Sequence, residues 1–309
     1  MQSKPPSTVK IAPTDSFAVT QADGEIRHKV PARRNKAKKY SKNKQERGQL
    51  ASDEQLPSEA QQRPNPLPMS FNIPTKTMSC ILHIETSTDV CSVALSQDGV
   101  CLHEEIDTNG RRHAEILAPF VEEAVSFADS HAIPLDAVSV SAGPGSYTGL
   151  RIGVSTAKGL CYGRDLKLIS IPTLKVLCTP ILLYREDIPD NALLCPMIDA
   201  RRMEVYTAIY DRALHEVVPT DAVIVNENSF AEILDKQPVF FFGNGADKCR
   251  DTLKHPNAHF IEGIVPKASN MLPLAERALA LNETEDVAYY EPFYLKQFVA
   301  GKSRNLLNG

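Results

Sequence analysis

The stretch "SVSAGPGSYTGLRIGVSTAKGLCYG" (residues 139–163) places Gly143, Gly145 and Gly149, together with the hydroxyl groups of Ser146, Tyr147 and Thr148, between an apolar run and a helical pattern. Backbone amides gathered at a helix start are the raw material of a phosphate cradle. The specific versions of that chemistry fail here. A GxxxxGK[ST] loop needs a lysine after its last glycine to reach the terminal phosphates, and Gly149 is followed by Leu150 and Arg151. A dinucleotide GxGxxG turn beginning at Gly143 meets Thr148 where its third glycine belongs. The GxSxG nucleophile elbow is absent as well. What remains is a tight turn that could serve as a weak anion site.

Two acids at strand ends are the next candidates. "ILHIETS" ends an apolar strand in Glu85, followed by Thr86 and Ser87; "CPMIDARR" ends another in Asp199. Acids so placed, with hydroxyl groups and the "GNGA" turn (Gly243, Gly245) nearby, could face a nucleotide or its divalent cation. Arg201 and Arg202 stand where glycines would let backbone approach a phosphate, so the expectation is a degenerate nucleotide site. Histidines offer little. His255 and His259 are four apart, which would put both on one helix face, but Pro256 between them disfavours that helix. His83 and His103 fall in predicted strands and are read as structural. No metal site is expected.

The elements that must position these residues emerge from periodicity. "CILHIET", "VCSVALS" and "VCLHEEID", separated by "STD" and "QDG", read as a three-stranded meander. In "RRHAEILAPFVEEAVSFADSHA", Ile116, Leu117, Phe120, Val121, Ala124, Val125 and Ala128 make an amphipathic stripe. A strand at "DAVSVSAG", the glycine-rich turn, a helix and the strand "LKLISI" complete an α/β lobe. "NALLCPMIDARRMEVYTAIYD" then repeats the opening, an apolar strand ending in an acid followed by a polar turn and a returning strand. Beyond it lie "AVIVN", a short helix at "SFAEILD", the strand "PVFFFGNGA" and a helix at "ASNMLPLAERALALN". The repeat predicts two duplicated α/β lobes, residues 78–182 and 183–309.

Gly149, Gly153 and Ala157 recur every four residues and lay a smooth strip along their helix. Such a strip admits a close neighbour, either the protein's own elements or a helix of a partner. Composition narrows the partner. Residues 1–77 hold 14 Lys and Arg against 7 Asp and Glu, a net +7; residues 78–309 hold 20 against 31, a net −11. The acidic body lacks the clustered cations that strong nucleic-acid binding draws on. The first segment, with nine prolines and the basic run "RHKVPARRNKAKKYSKNKQER", is expected to be a disordered tail, with Met78 the start of the folded protein. Seven widely spaced cysteines, without a CxxC pair, suit a reducing cytoplasm. No apolar run is long enough to span a membrane.

Taken in order, "ILHIETSTDVCSVAL", "SAGPGSYTGLRIGVSTAKGL", "DARRMEVY" and "PFYLK" resemble the TsaB (YeaZ) family from Met78 nearly to the C-terminus. The resemblance implies two duplicated actin-like ATPase (ribonuclease H-like) lobes. It implies a non-catalytic subunit of the complex that makes threonylcarbamoyladenosine next to the tRNA anticodon. The partners would be a catalytic TsaD-type subunit and a TsaE-type ATPase, with tRNA met through the complex, and a homodimer when alone. No cofactor of its own is implied; ATP and a divalent metal belong to the partners. The catalytic relative's metal is held by two histidines four apart, and here His113 is followed at that distance by Leu117. The pairing helices map to about 111–130 and 149–163, giving Ile116, Leu117, Phe120, Val121, Ala124, Gly149, Ile152, Gly153, Thr156, Ala157 and Leu160 as expected interface residues. Replacing Gly153 by a bulky residue is then expected to weaken pairing and leave the fold intact. The rival reading is an autonomous ATPase, kinase or metallopeptidase on the same fold.

Overall fold

Short apolar runs buried on both faces build the first sheet of this computed structural model, which describes residues 78–110 and 112–296. The arm over 1–77 lies outside the described residues. In β1 (Cys80–Glu85), Cys80, Leu82 and Ile84 point to one face and Ile81 to the other. β1 pairs antiparallel with β2 (Cys91–Gln97), and β2 in turn with β3 (Val100–Asp107). α1 (His113–Ser130) then crosses to β4 (Ala137–Gly143), parallel to β1, and α2 (Tyr147–Arg164) crosses to β5 (Lys167–Pro172). The resulting order is β3-β2-β1-β4-β5. α1 and α2 cover the Leu82 face through Leu117, Val121, Ala124, Val154 and Ala157.

After α3 (Thr173–Tyr184), the same plan repeats in β6 (Leu193–Asp199), β7 (Glu204–Tyr210), β8 (Glu216–Ile224), β9 (Val239–Phe242) and β10 (Ala258–Ile261), with the one-turn helix α4 (Ala231–Leu234) between β8 and β9. Its order, β8-β7-β6-β9-β10, and its pairing directions reproduce the first sheet strand for strand. This is the duplicated actin-like arrangement expected. The edge position of β8 accommodates Pro219, whose missing N–H would break a central ladder.

Two departures from the expected order matter for function. α3, for which the periodicity gave no signal, lies between the sheets: Val176 packs with Ile81, Ile169 and Ile171, while Leu174, Leu177, Cys178 and Ile181 pack with Leu194, Ile198 and Phe242. α5 (Leu272–Ala280), in the segment assigned by sequence to the second lobe, returns to the first. Its Ala275 and Ala278 close the Ile81 face of the first sheet. Residues 285–296 then run along the first lobe.

Candidate functional site

The sequence motifs meet at the carboxyl ends of β1 and β6. At β1, Glu85 is fully buried, and its Oε1 accepts a hydrogen bond from the Ser87 amide at 2.6 Å. Burial outweighs the hydrogen bond from the Ser87 amide and pushes the carboxyl up to about 7. Neither neighbouring hydroxyl bonds Oε2 with good geometry; Oε2 and the Ser87 Oγ are sealed and without hydrogen-bond partners among the described residues. Thr86 Oγ1 donates to the Gly149 carbonyl at 2.8 Å, and Ser146 N donates to the Ser87 carbonyl at 2.7 Å.

Those two bonds press the start of α2 onto the β1–β2 turn, and this explains the glycines. A Cβ at Gly145 would lie 2.4 Å from Ser87 O, one at Gly149 2.1 Å from Thr86 O, and one at Gly153 2.2 Å from Thr86 Oγ1. The smooth strip faces the protein's own turn. The expected assignment of Gly149, Gly153 and Ala157 to a partner interface is therefore corrected, and with it the expectation that a bulky residue at Gly153 would leave the fold intact. Leu117, Val121 and Ala124 are corrected likewise, because they are buried in the first-lobe core.

What the helix pair leaves at the surface is narrower. Ile116, Phe120, Ile152, Thr156 and Leu160 are half-buried, the apolar ones packed against the rim of the first core. Thr156 turns its hydroxyl back to the Ile152 carbonyl at 2.9 Å. Arg164 forks onto Asp129 at 3.0 and 2.8 Å, tying the C-terminal ends of α2 and α1 together. The seam is thus held at a fixed spacing.

At β6 the geometry repeats with a different outcome. Arg201 N donates to Asp199 Oδ1 at 2.9 Å, the counterpart of the Ser87–Glu85 bond. Asp199 is exposed, however, and the Lys248 ammonium sits on its carboxylate while also donating to the Glu204 carbonyl at 2.7 Å. Arg201 and Arg202 adopt left-handed φ of 73° and 51°. Gly143 and Gly243, at the ends of β4 and β9, share φ of 105° and 98°, a conformation that glycine adopts without a Cβ clash. Gly245 N donates to Met197 O at 3.0 Å, and Asn244 Oδ1 accepts from Asp199 N at 3.0 Å. Glu85, Thr86 and Ser87 are thus held beneath α2, while Asp199, Gly243 and Gly245 gather beside Lys248.

Sequence reasoning missed the strap that joins the two ends. The chain is tied to β5 by Glu285 N donating to Leu168 O at 2.8 Å, and to α2 by Lys158 Nζ donating to the Ala288 and Tyr290 carbonyls at 3.0 and 3.1 Å. Phe293 N then donates to Ala142 O at 2.8 Å, and its carbonyl lies 2.6 Å from where a Gly143 Cβ would be. Tyr294 meets the Tyr147 ring at 4.8 Å, and Lys296 Nζ reaches Glu204 Oε2 at 2.5 Å. "GPGSYTG", "DARRMEVY" and "PFYLK" are in this way three sides of one structure. The signal for it was available, since "PFYLK" had no other assigned role.

His83, His113, His255 and His259 make structural contacts. His83 bridges the Ser139 and Ser96 hydroxyls at 2.7 and 2.8 Å, and burial lowers its pKa to about 3. His113 opens α1 with Nε2 at 3.2 Å from Val90 O. His255 stands beside Asp235 at 3.3 Å, and His259 lies in β10 rather than on a shared helix.

The family described as TsaD, tRNA N6-adenosine threonylcarbamoyltransferase, matches residues 104–302. Escherichia coli "tRNA threonylcarbamoyladenosine biosynthesis protein TsaB" is 31% identical over 228 residues, covering 72% of this chain and 96% of that one. The Bacillus subtilis protein of the same name is 31% identical over 53% of this chain and 70% of its own length. A crystal structure of a Pseudomonas aeruginosa protein "with similarity to peptidase YEAZ" superposes with a TM-score of 0.61 at 27% identity, covering 71% of this chain and all of that one. No helix among the described residues is long and apolar enough to cross a membrane.

Proposed function

The chain belongs to the TsaB (YeaZ) family, and from that premise we propose that it acts in tRNA threonylcarbamoyladenosine biosynthesis as a non-catalytic subunit. It binds a catalytic TsaD-type subunit in the cytoplasm and holds it in a productive arrangement, together with a TsaE-type ATPase and tRNA. ATP and the divalent metal are used by those partners. Alone, the chain pairs with a second copy through the same surface.

The observation that carries this reading is the seam on the first-lobe helices. Ile116, Phe120, Ile152 and Leu160 are apolar, half-exposed and seated on the first core, which suits a partner helix pair of similar character. The cleft supports the same reading. Its exposed carboxylate, Asp199, is already neutralised by Lys248, and the turn beside it is filled by Arg201 and Arg202. The net charge of −11 over residues 78–309 fits a subunit whose tRNA contacts come mainly from its partner.

The test is reconstitution. The chain is mixed with its own cell's TsaD-type and TsaE-type proteins, and threonylcarbamoyl transfer to tRNA is followed with and without it. Transfer that requires the chain, with none from the chain alone, is the expected result. Transfer or ATP turnover by the chain alone would overturn the reading and favour the autonomous enzyme.

A further inference from the structure

We propose that His103, Glu105 and Glu123 form a binding site for a divalent transition-metal cation such as Zn2+. The site lies outside the cleft and is independent of the proposed function. His103 and Glu105 are two apart on edge strand β3, so both project from the same side of the sheet. Glu123 comes from α1, which packs over that side. The Phe127 ring, one turn after Glu123, stacks on the His103 imidazole at 5.6 Å between centroids and fixes its plane.

One ligand atom from each of the three side chains lies within 4.8 Å of the others. His103 Nε2 is 3.6 Å from Glu105 Oε1, beyond hydrogen-bond reach. That nitrogen is sealed from solvent and has no hydrogen-bond partner among the described residues. A sealed ring nitrogen beside a carboxylate but beyond hydrogen-bond reach of it is poorly served by the protein alone. A tetrahedral ion with bonds of about 2.0–2.1 Å spaces its ligands at roughly 3.3 Å, near the 3.6 Å between His103 Nε2 and Glu105 Oε1, and Glu123, within 4.8 Å, would close in by a side-chain adjustment.

The donor set decides the class of ion. One imidazole nitrogen and two carboxylates suit zinc and its neighbours, whereas Mg2+ and Ca2+ prefer oxygen alone. Glu123 is exposed, so the remaining coordination positions are open to water. No spacing in the sequence announced the site, because its third ligand comes from a different element.

The full chain, treated with chelator and dialysed, would be titrated with ZnCl2 by calorimetry and with CoCl2 by visible absorption. Expected are one equivalent of zinc per chain, visible cobalt bands, no comparable heat with MgCl2, and affinity reduced at least about tenfold by His103→Ala and by Glu123→Gln. Glu123 is at the surface, so its variant keeps the fold even if the His103 variant does not. Cys101 is the exposed thiol nearby, and Cys101→Ser is expected to leave the affinity unchanged. Absence of zinc binding, binding indifferent to Glu123→Gln, or binding lost in Cys101→Ser would each overturn the proposal.

Discussion

The β1–β2 and β6–β7 turns are built alike and have come to opposite ends. Each closes a central strand with an acid whose carboxylate accepts the amide two residues on, Ser87 for Glu85 and Arg201 for Asp199. Beside each, the parallel neighbour strand, β4 or β9, ends in a glycine of the same left-handed conformation, Gly143 or Gly243. The difference lies in the element that comes after that glycine. After β4 comes α2, 18 residues long, which roofs the turn and seals Glu85; after β9 comes only the three-residue turn Asp247–Cys249, and Asp199 stays open to Lys248 and solvent. One backbone plan thus yields a buried strut in the first lobe and an ion-paired surface in the second. The first-lobe glycines belong to the strut, so the proposed partner interface falls on the outer faces of α1 and α2.

The largest effect should come from breaking the strut. Gly149→Val puts a Cβ 2.1 Å from the Thr86 carbonyl oxygen, and backbone cannot retreat as a flexible side chain can. A loss of about 3 kcal/mol or outright failure to fold is expected in denaturant titration. A stable variant that merely lost its partner would return the glycine strip to the interface.

Glu85→Gln sharpens the comparison next. The folded carboxyl titrates near 7 and the unfolded one near 4.5, so the native state holds the proton more tightly between those values. Stability therefore falls as pH rises from about 4.5 to 7 and is level above, by about 3 kcal/mol in total. Glu85→Gln should remove that fall and be the more stable protein at pH 8, as read from urea midpoints at pH 5 and pH 8. A wild-type protein whose stability does not fall over this window would show that Glu85 is not the strut described. A smaller effect, about 1 kcal/mol, is expected for Thr86→Val, which deletes the hydrogen bond to Gly149 O and keeps the shape. No change in the denaturation midpoint would mean that bond does not anchor α2.

Much of this was legible in the sequence where a segment has two unlike faces. α1 carries its stripe, β1 and β2 are apolar, β-branched runs set off by polar turns, and the repeated strand–acid–turn pattern announced the duplication. α3 has no such contrast: it is buried between two sheets, with Val176 turned to one and Leu177 to the other, so "LKVLCTPILLY" shows no polar face to set a period. β10 was missed because four residues are too few to display alternation. The glycine strip was found, yet spacing defines a face without saying which way it turns; that depended on Thr86, far away in sequence. Of the interface residues read from the stripe, Ile116 and Phe120 stayed at the rim while Leu117, Val121 and Ala124 went inside, a division that depends on where α2 lies. The closing strap has no periodicity at all and is fixed by contacts with four other elements, β5, α2, β4 and β7.

Which face holds the partner is the central question, and one binding experiment addresses it. Affinity for the TsaD-type subunit would be measured by calorimetry for Phe120→Asp and Asp199→Asn side by side, with thermal midpoints as controls for folding. The account predicts at least about thirtyfold weaker binding for Phe120→Asp, as expected when an apolar anchor worth about 2 kcal/mol is lost, and unchanged binding for Asp199→Asn. Full affinity in the first variant and loss in the second would place the partner at the cleft and contradict it.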